Sequence, residues 1–342
     1  MDIKIILKKL AEGCSVSGFE NYLSETVKEM MRPFCDSVEV NRFNSIICHK
    51  ACKNGSGRKI MIEAHLDQIG LIVTGIDKMG FVKFMSVGGI DKRILPASEV
   101  YIWGKEKVYG IIGSKPPHIT ESSDRDKMPD ISGMLIDTGY TKDELEKKIS
   151  IGDSVVLKSE LTELANERVS CLALDNRAGV ASVISAAERL CDAEDDIYYV
   201  FTSEEELGLH GVYSVAREIQ PDYTIVVDVT HGMTVDSKDE AGVFELGSGA
   251  VICKGPALNS DFAAYLISVA EKNRIKHDIE VVSGHSGTNA WAVQKAYGKC
   301  KTALISIPLK YMHTAVEMVS VADVEAVSEL LEKALKEGIG NA

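Results

Sequence analysis

The run K-I-M-I-E-A-H-L, residues 59 to 66, is a short β-like stretch that ends at His65. Its length and apolar content read as a buried strand. The change of texture just beyond it decides the architecture. From about residue 70 to 165 the chain consists of short β-rich pieces punctuated by glycine, among them G-L-I-V-T-G-I (70–76), G-F-V-K-F-M-S-V-G-G (80–89), E-V-Y-I-W-G-K (99–105) and D-S-V-V-L-K (153–158). Only T-K-D-E-L-E-K-K-I (141–149) has helical character there. This texture predicts a small β-barrel or sandwich. Beyond residue 170, helices alternate with apolar strands. Val180, Val183, Ile184, Ala187 and Leu190 mark one helical stripe, and Val324, Val327, Leu331 and Leu335 the last. The strands read I-Y-Y-V-F-T (197–202), Y-T-I-V-V-D-V (223–229), I-E-V-V-S (279–283) and T-A-L-I-S-I-P (302–308). That alternation is the pattern of an α/β sandwich around a largely buried sheet. The strand ending at His65 matches this later part better than the β-rich stretch that comes directly after it. The expected architecture is therefore one α/β domain, 1–68 and 166–342, interrupted by an inserted β domain, 69–165.

Composition limits the possible functions. A chain of 342 residues with 45% hydrophobic side chains can bury a full core, and its net charge of −13 argues against a nucleic-acid or anionic-membrane partner. No apolar run approaches a membrane span, and the amphipathic start M-D-I-K-I-I-L-K-K-L has no leader-like core, so a cytoplasmic location is expected. Eight scattered cysteines in so large a chain are expected to be reduced thiols. Cys48-His49-Lys50-Ala51-Cys52 has no second Cys or His pair to complete a structural zinc site.

Ligand-type residues recur at the C-terminal ends of the predicted strands or in the turns after them: His65 and Asp67, Asp175, Glu205 and Glu206, Asp228, and His313. Alone, a histidine after a strand is ordinarily structural and an Asp before a helix is a cap. In open α/β sheets, however, those ends converge on the ligand crevice. Mixed imidazole and carboxylate donors suit zinc, cobalt or manganese rather than calcium or a thiolate-rich site. Too many carboxylates gather for a single ion. Two ions sharing a carboxylate would account for the adjacent acids in F-T-S-E-E-E-L-G-L-H-G (201–211): one would bind a cation while its neighbour acts on a polarised water.

Seven segments carry a family resemblance: A-H-L-D-Q-I-G (64–70), G-I-I-G-S-K-P-P-H (110–118), L-D-N-R-A-G (174–179), E-E-L-G-L-H-G (205–211), V-D-V-T (227–230), S-G-T-N-A (286–290) and Y-M-H-T-A-V-E-M (311–318). In this order, over nearly the whole chain, they resemble the cytosolic di-metal aminopeptidases that form tetrahedral shells. That family includes glutamyl and deblocking aminopeptidases, and some members carry an endoglucanase label. The resemblance implies a zinc-peptidase-like catalytic α/β sandwich with an inserted β-barrel used in dimer contacts. It also implies two divalent ions per subunit, zinc or cobalt, and peptides as substrates. The subunit would be part of a homo-oligomer, a dodecamer built from dimers being one form. By motif it makes Asp175 the bridging ligand, with His65 and Asp228 completing one site and Glu206 and His313 the other. Glu205 becomes the general base acting on a water between the ions, and the L-G-L-x-G after the pair sets this register and excludes Glu204. Asp67 is expected to hydrogen-bond the His65 imidazole and fix its tautomer. The whole site is expected within the α/β part.

Four departures from the common pattern fall outside the expected ligands: Gln68 for Glu, Asn289 for Asp, Lys310 for Arg, and Thr314-Ala315 for Ser-Pro. Asn289 and Lys310 put specificity in question. His118 reads as structural, His285 as either loop or substrate pocket, and Trp291 and Tyr297 as packing. The alternative functions are a related di-metal amidohydrolase for acylated amino acids or other small amides, a metal-free glycosidase using the paired acids, and a non-catalytic assembly protein. The glycosidase leaves His65 and His313 without a task.

Overall fold

The computed structural model describes residues 1–53, 57–115, 130–190, 192–237 and 242–339. His118 lies outside them. Among the described residues, eleven strands form one mixed sheet. Its centre is four parallel strands in the order Asp196–Thr202, Lys59–His65, Tyr223–His231 and Lys301–Lys310. They are buried almost throughout, because helices cover both faces. Antiparallel strands flank this core. Ile46–Lys50 and Ser37–Val40 extend one side, and Glu317–Ser320, Arg168–Cys171 and Thr162–Leu164 the other. Ala250–Lys254 pairs with Lys301–Lys310 and carries His277–Val281 beyond it.

The period-2 alternation of the strands sorts side chains between two cores. Ile60, Ile62, Ile225, Val227, Ala303 and Ile305 face the helices Leu174–Arg189, Val321–Glu337, Ile3–Ala11 and Ser260–Asn273. Met61, Val226 and Leu304 face the shorter helices His210–Ile219 and Asn289–Ala296. Both predicted helical stripes, Val180 to Leu190 and Val324 to Leu335, lie in the first core.

Six strands, Gly70–Ile76, Val82–Val87, Leu135–Asp137, Lys107–Gly113, Glu99–Trp103 and Ser154–Leu157, close an antiparallel barrel with its own core of Leu71, Val82, Val100, Ile112, Ile136 and Val155. The predicted helix in this region is one turn, Lys142–Leu145, held by a capping box between Thr141 and Glu144. The chain leaves the main sheet after His65, returns to it by Thr162, and pairs there with Arg168–Cys171. C-H-K-A-C ends the strand Ile46–Lys50, which pairs on both sides: Cys48 is buried, and His49 stacks on Tyr198 and contacts Asp196. The seven described cysteines are all free. Among the described residues, no helix is long and apolar enough to cross a membrane.

Candidate metal centre

The odd-numbered residues of Lys59–His65 and the even-numbered ones of Tyr223–His231 point to the side of the short helices. That parity carries His65 and Asp228 to one cleft at the C-terminal ends of the parallel strands. Asp175 arrives from the other edge, where Arg168–Cys171 turns through left-handed Ala173 (φ 64°) into Leu174–Arg189. His313 follows Lys301–Lys310 in a tight turn with φ 63°. Two donor groups result, His65 with Asp175 and Asp228, and Asp175 with Glu206 and His313, each with its ligand-type atoms within 4.8 Å of one another. Asp175 belongs to both. Its Oδ1 lies 3.1 Å from His65 Nε2, and its Oδ2 lies 3.5 Å from His313 Nε2. Asp228 Oδ1 is 3.7 Å from His65 Nε2, and Glu206 Oε1 is 3.3 Å from His313 Nε2. Nitrogen and oxygen donors without a thiolate, buried at His65, Asp175 and Asp228 and half-buried at Glu206 and His313, form a set that fits divalent transition ions such as zinc or cobalt.

The acidic run separates its three members. Gly208 (φ 120°) takes a backbone region all but closed to other residues, and a Cβ on Gly211 would lie 2.2 Å from the Ser203 carbonyl oxygen. These two glycines fold the loop back on its strand, which is why L-G-L-x-G comes after the pair. Glu205 and Glu206 consequently line the cleft. Glu204 turns to His210 Nδ1, 3.0 Å away.

Asp67 sits behind the cleft. The nearer partner of His65 Nδ1 is the Asp67 main-chain carbonyl at 3.0 Å, with the carboxylate at 3.6 Å. Both carboxylate oxygens accept main-chain N–H groups, from Glu205 at 2.9 Å and from Glu206 at 3.0 Å. The expected tautomer-fixing contact thus comes chiefly from the backbone, while the Asp67 side chain fixes the acidic pair.

Burial pushes the Glu205 carboxyl up to about 9, the nearby His65 opposing and Asp228 and Glu206 adding to the rise. For His65, burial opposes the charged form, yet hydrogen bonding to Asp175, Asp228 and Asp67 outweighs it and raises the imidazole well above its ordinary value. Hydrogen bonds to Asp175 and Glu206 raise His313 to about 11.

Three supports were not read from the sequence. Glu317, buried in the last motif, accepts the Asp175 N–H at 3.1 Å and the His313 N–H at 2.8 Å, fixing the backbone of two donors at once. The Gly89 carbonyl accepts from His313 Nδ1 at 3.0 Å, which leaves Nε2 facing the carboxylates. Gly89 belongs to the inserted segment, so the site is not confined to the α/β part. Its neighbour in G-G, Gly88, holds φ 74°, a conformation that side-chain-bearing residues rarely adopt, and a Cβ there would lie 3.0 Å from Ile69 Cγ2. Glu63, behind His65, accepts from Thr202 Oγ1 at 2.6 Å and from Asn289 Nδ2 at 2.8 Å. Asn289 thus lies beneath the cleft, and an Asp there would face a second buried carboxylate. Gln68 serves as a neutral acceptor for buried Arg177. His285 accepts the Gly287 N–H and packs at a tilt against Trp291, a loop contact outside the cleft lining.

A profile of the M42 glutamyl aminopeptidase family matches residues 44–330. The chain is 32% identical to a lysyl aminopeptidase of Pyrococcus furiosus, over 97% of this chain and 96% of that protein. The solved aminopeptidase APDkam598 of Desulfurococcus kamchatkensis superposes with a TM-score of 0.92 at 31% identity, covering 98% of this chain and 95% of that one. The TET1 peptidase of Pyrococcus horikoshii, described as assembling into a tetrahedron or a large octahedral shell, superposes with a TM-score of 0.85 at 31% identity over 97% and 99% of the two chains. A Thermotoga maritima protein described as an endoglucanase shares the fold at 27% identity, with a TM-score of 0.80 over 97% of each chain. The chain belongs to the M42 glutamyl aminopeptidase family and, with it, to the metal-dependent aminopeptidases.

Proposed function

We propose that this protein removes N-terminal residues from peptides, using two divalent ions, zinc or cobalt, held by His65, Asp175 and Asp228 and by Asp175, Glu206 and His313. The observation that carries the reading is the placement of Asp175, one carboxylate oxygen toward each imidazole. When bound, the ions supply Lewis acidity: they polarise the scissile carbonyl, acidify a water and assist in holding the free amine. Glu205 takes the proton of that water as its oxygen attacks the carbonyl carbon. It then returns the proton to the leaving nitrogen as the C–N bond breaks. Glu205 suits this task because it lines the cleft without belonging to either donor group. Asp67 holds its backbone in place.

Elemental analysis after reconstitution should find about two ions per chain, since five ligand-type residues exceed one tetrahedral site. One ion at saturation, unchanged in His313→Ala, would remove the second site. Binding should also depend on pH. Both imidazoles are raised, so the protons they hold must leave before Nε2 can donate. Affinity therefore rises with pH and falls with acid, by about tenfold per pH unit for each proton displaced. Competition titrations with a chromogenic chelator at two pH values measure that slope, and a flat profile contradicts the ligand set.

A panel of aminoacyl chromogenic amides, N-blocked peptides and a β-glucan, with and without chelator, tests the reaction. Chelator-sensitive release from the free-amine substrates alone is expected. Cleavage of acylated amino acids instead would favour the amidohydrolase.

We assign the barrel segment, 69–165, to subunit contacts in a homo-oligomer. Met85, Ile111 and Ile151 expose large apolar side chains on it, and the P. horikoshii relative forms shells. Ile111→Lys with Ile151→Lys should give smaller particles in light scattering with metal content unchanged. An assembly of unaltered size would contradict the assignment.

A further inference from the structure

The relatives named lysyl and glutamyl aminopeptidase share one family, so membership leaves the preferred side chain open. The cleft beyond the donor groups carries a carboxylate with no part in the reaction proposed above. Glu280, on the strand His277–Val281, lines the same cleft as His65 and Glu205. Strand register leads to it across the sheet. Asp228 lies opposite Ser306, Ser306 opposite Val251, and Cys253, two residues along the same face, opposite Glu280. Its Oε1 accepts from Thr230 Oγ1 at 3.1 Å and its Oε2 from Cys253 Sγ at 3.2 Å. Thr230 follows Asp228 by two residues on one strand, a separation of about 7 Å. The Glu280 carboxylate is therefore held roughly one extended side chain from the donor groups. Val229, Val282, Leu304 and Met312 add apolar surface to the same cleft, and no Lys or Arg is among the described lining residues.

Resting on the aminopeptidase reading, we infer that this end of the cleft receives the side chain of the substrate's N-terminal residue and that Glu280 selects a basic one, lysine or arginine. The aliphatic stem lies along the apolar wall while the cationic head meets the carboxylate. Neutral Thr230 and Cys253 hold Glu280 in place without neutralising it, leaving its charge for the ligand. An N-terminal glutamate would set a second carboxylate against it.

The test compares lysyl with norleucyl p-nitroanilide, which differ by the ammonium group, alongside the glutamyl substrate. In the metal-loaded wild type, kcat/KM for lysine should exceed that for norleucine by about 10- to 100-fold, the usual weight of a hydrogen bond to a charged group. In Glu280→Gln the ratio should fall to near one, and in Glu280→Lys the glutamyl substrate should overtake the lysyl one. Because the ratio is taken within each protein, a variant that folds poorly changes both rates and leaves it readable. Calorimetric binding of free lysine and norleucine gives a second readout. A wild type that favours norleucyl or glutamyl substrate, or a ratio unmoved in Glu280→Gln, overturns the inference while leaving the aminopeptidase intact. Release from no aminoacyl amide at all overturns the underlying reading.

Discussion

Glu205→Gln should lower turnover by about 100- to 10,000-fold, the usual contribution of a positioned general base, while both ions remain bound. Gln preserves the shape of the side chain and its place in the cleft but cannot accept a proton. Burial already pushes the carboxyl up to about 9, so it holds a proton readily, and neighbouring cations would draw the value back toward the working range. Glu206→Gln should instead weaken the ion shared by Glu206, Asp175 and His313, with activity restored in part by excess metal. Glu204→Gln, whose carboxylate is turned to His210, should leave both quantities nearly unchanged. Hydrolysis and metal content measured together on the three variants separate these outcomes. A dead, metal-replete Glu204→Gln beside an active Glu205→Gln would shift the acidic register by one and remove the roles of Glu205 and Glu206 together.

Asp175→Asn should be more severe than any other single change among the donors, because one carboxylate serves both groups. Each ion loses an anionic partner at once, so affinity at both positions should drop by more than about 100-fold, beyond the usual effect of altering a supporting contact. Activity should fall to background at stoichiometric metal. Asp228→Asn and Glu206→Gln each touch one group and should each cost one ion. Elemental analysis after dialysis against limiting zinc distinguishes two losses from one. Retention of two ions in Asp175→Asn would mean that the pair of sites does not share this residue.

Much of the centre was legible in the sequence because strands and helices announce their own ends. The parallel strand ending at His65 and the strand carrying Asp228 are apolar runs of the right length, and their C-terminal ends necessarily open on one side of a parallel core. The register at L-G-L-x-G came through the family resemblance, and the fold supplies its physical reason: Gly208 and Gly211 permit the fold-back that presents Glu205 and Glu206. Gly89 was not readable in this way, since its contribution is a carbonyl that every residue possesses. Glu63 reads as a polar interruption of a strand until Asn289 and Thr202 surround it.

Sequence alone thus determined what depends on local periodicity: the α/β alternation, the interruption by a β-rich segment, and the ligand-type residues at strand ends. Tertiary structure decided what depends on distant chain segments meeting. The Asp175 N–H reaches Glu317 across 142 residues, and His313 reaches Gly89 across 224. Glu280 looked like one acid in an ordinary strand, and only the pairing of His277–Val281 with Ala250–Lys254 brings it into the cleft. Side-chain period sets which face of a strand a residue occupies, but it carries no information about which strand lies alongside. That choice is made by burial of the whole sheet between its helices, and it is the step that brought scattered carboxylates into one cleft, with Glu205 and Glu280 in its lining and two donor groups joined at Asp175.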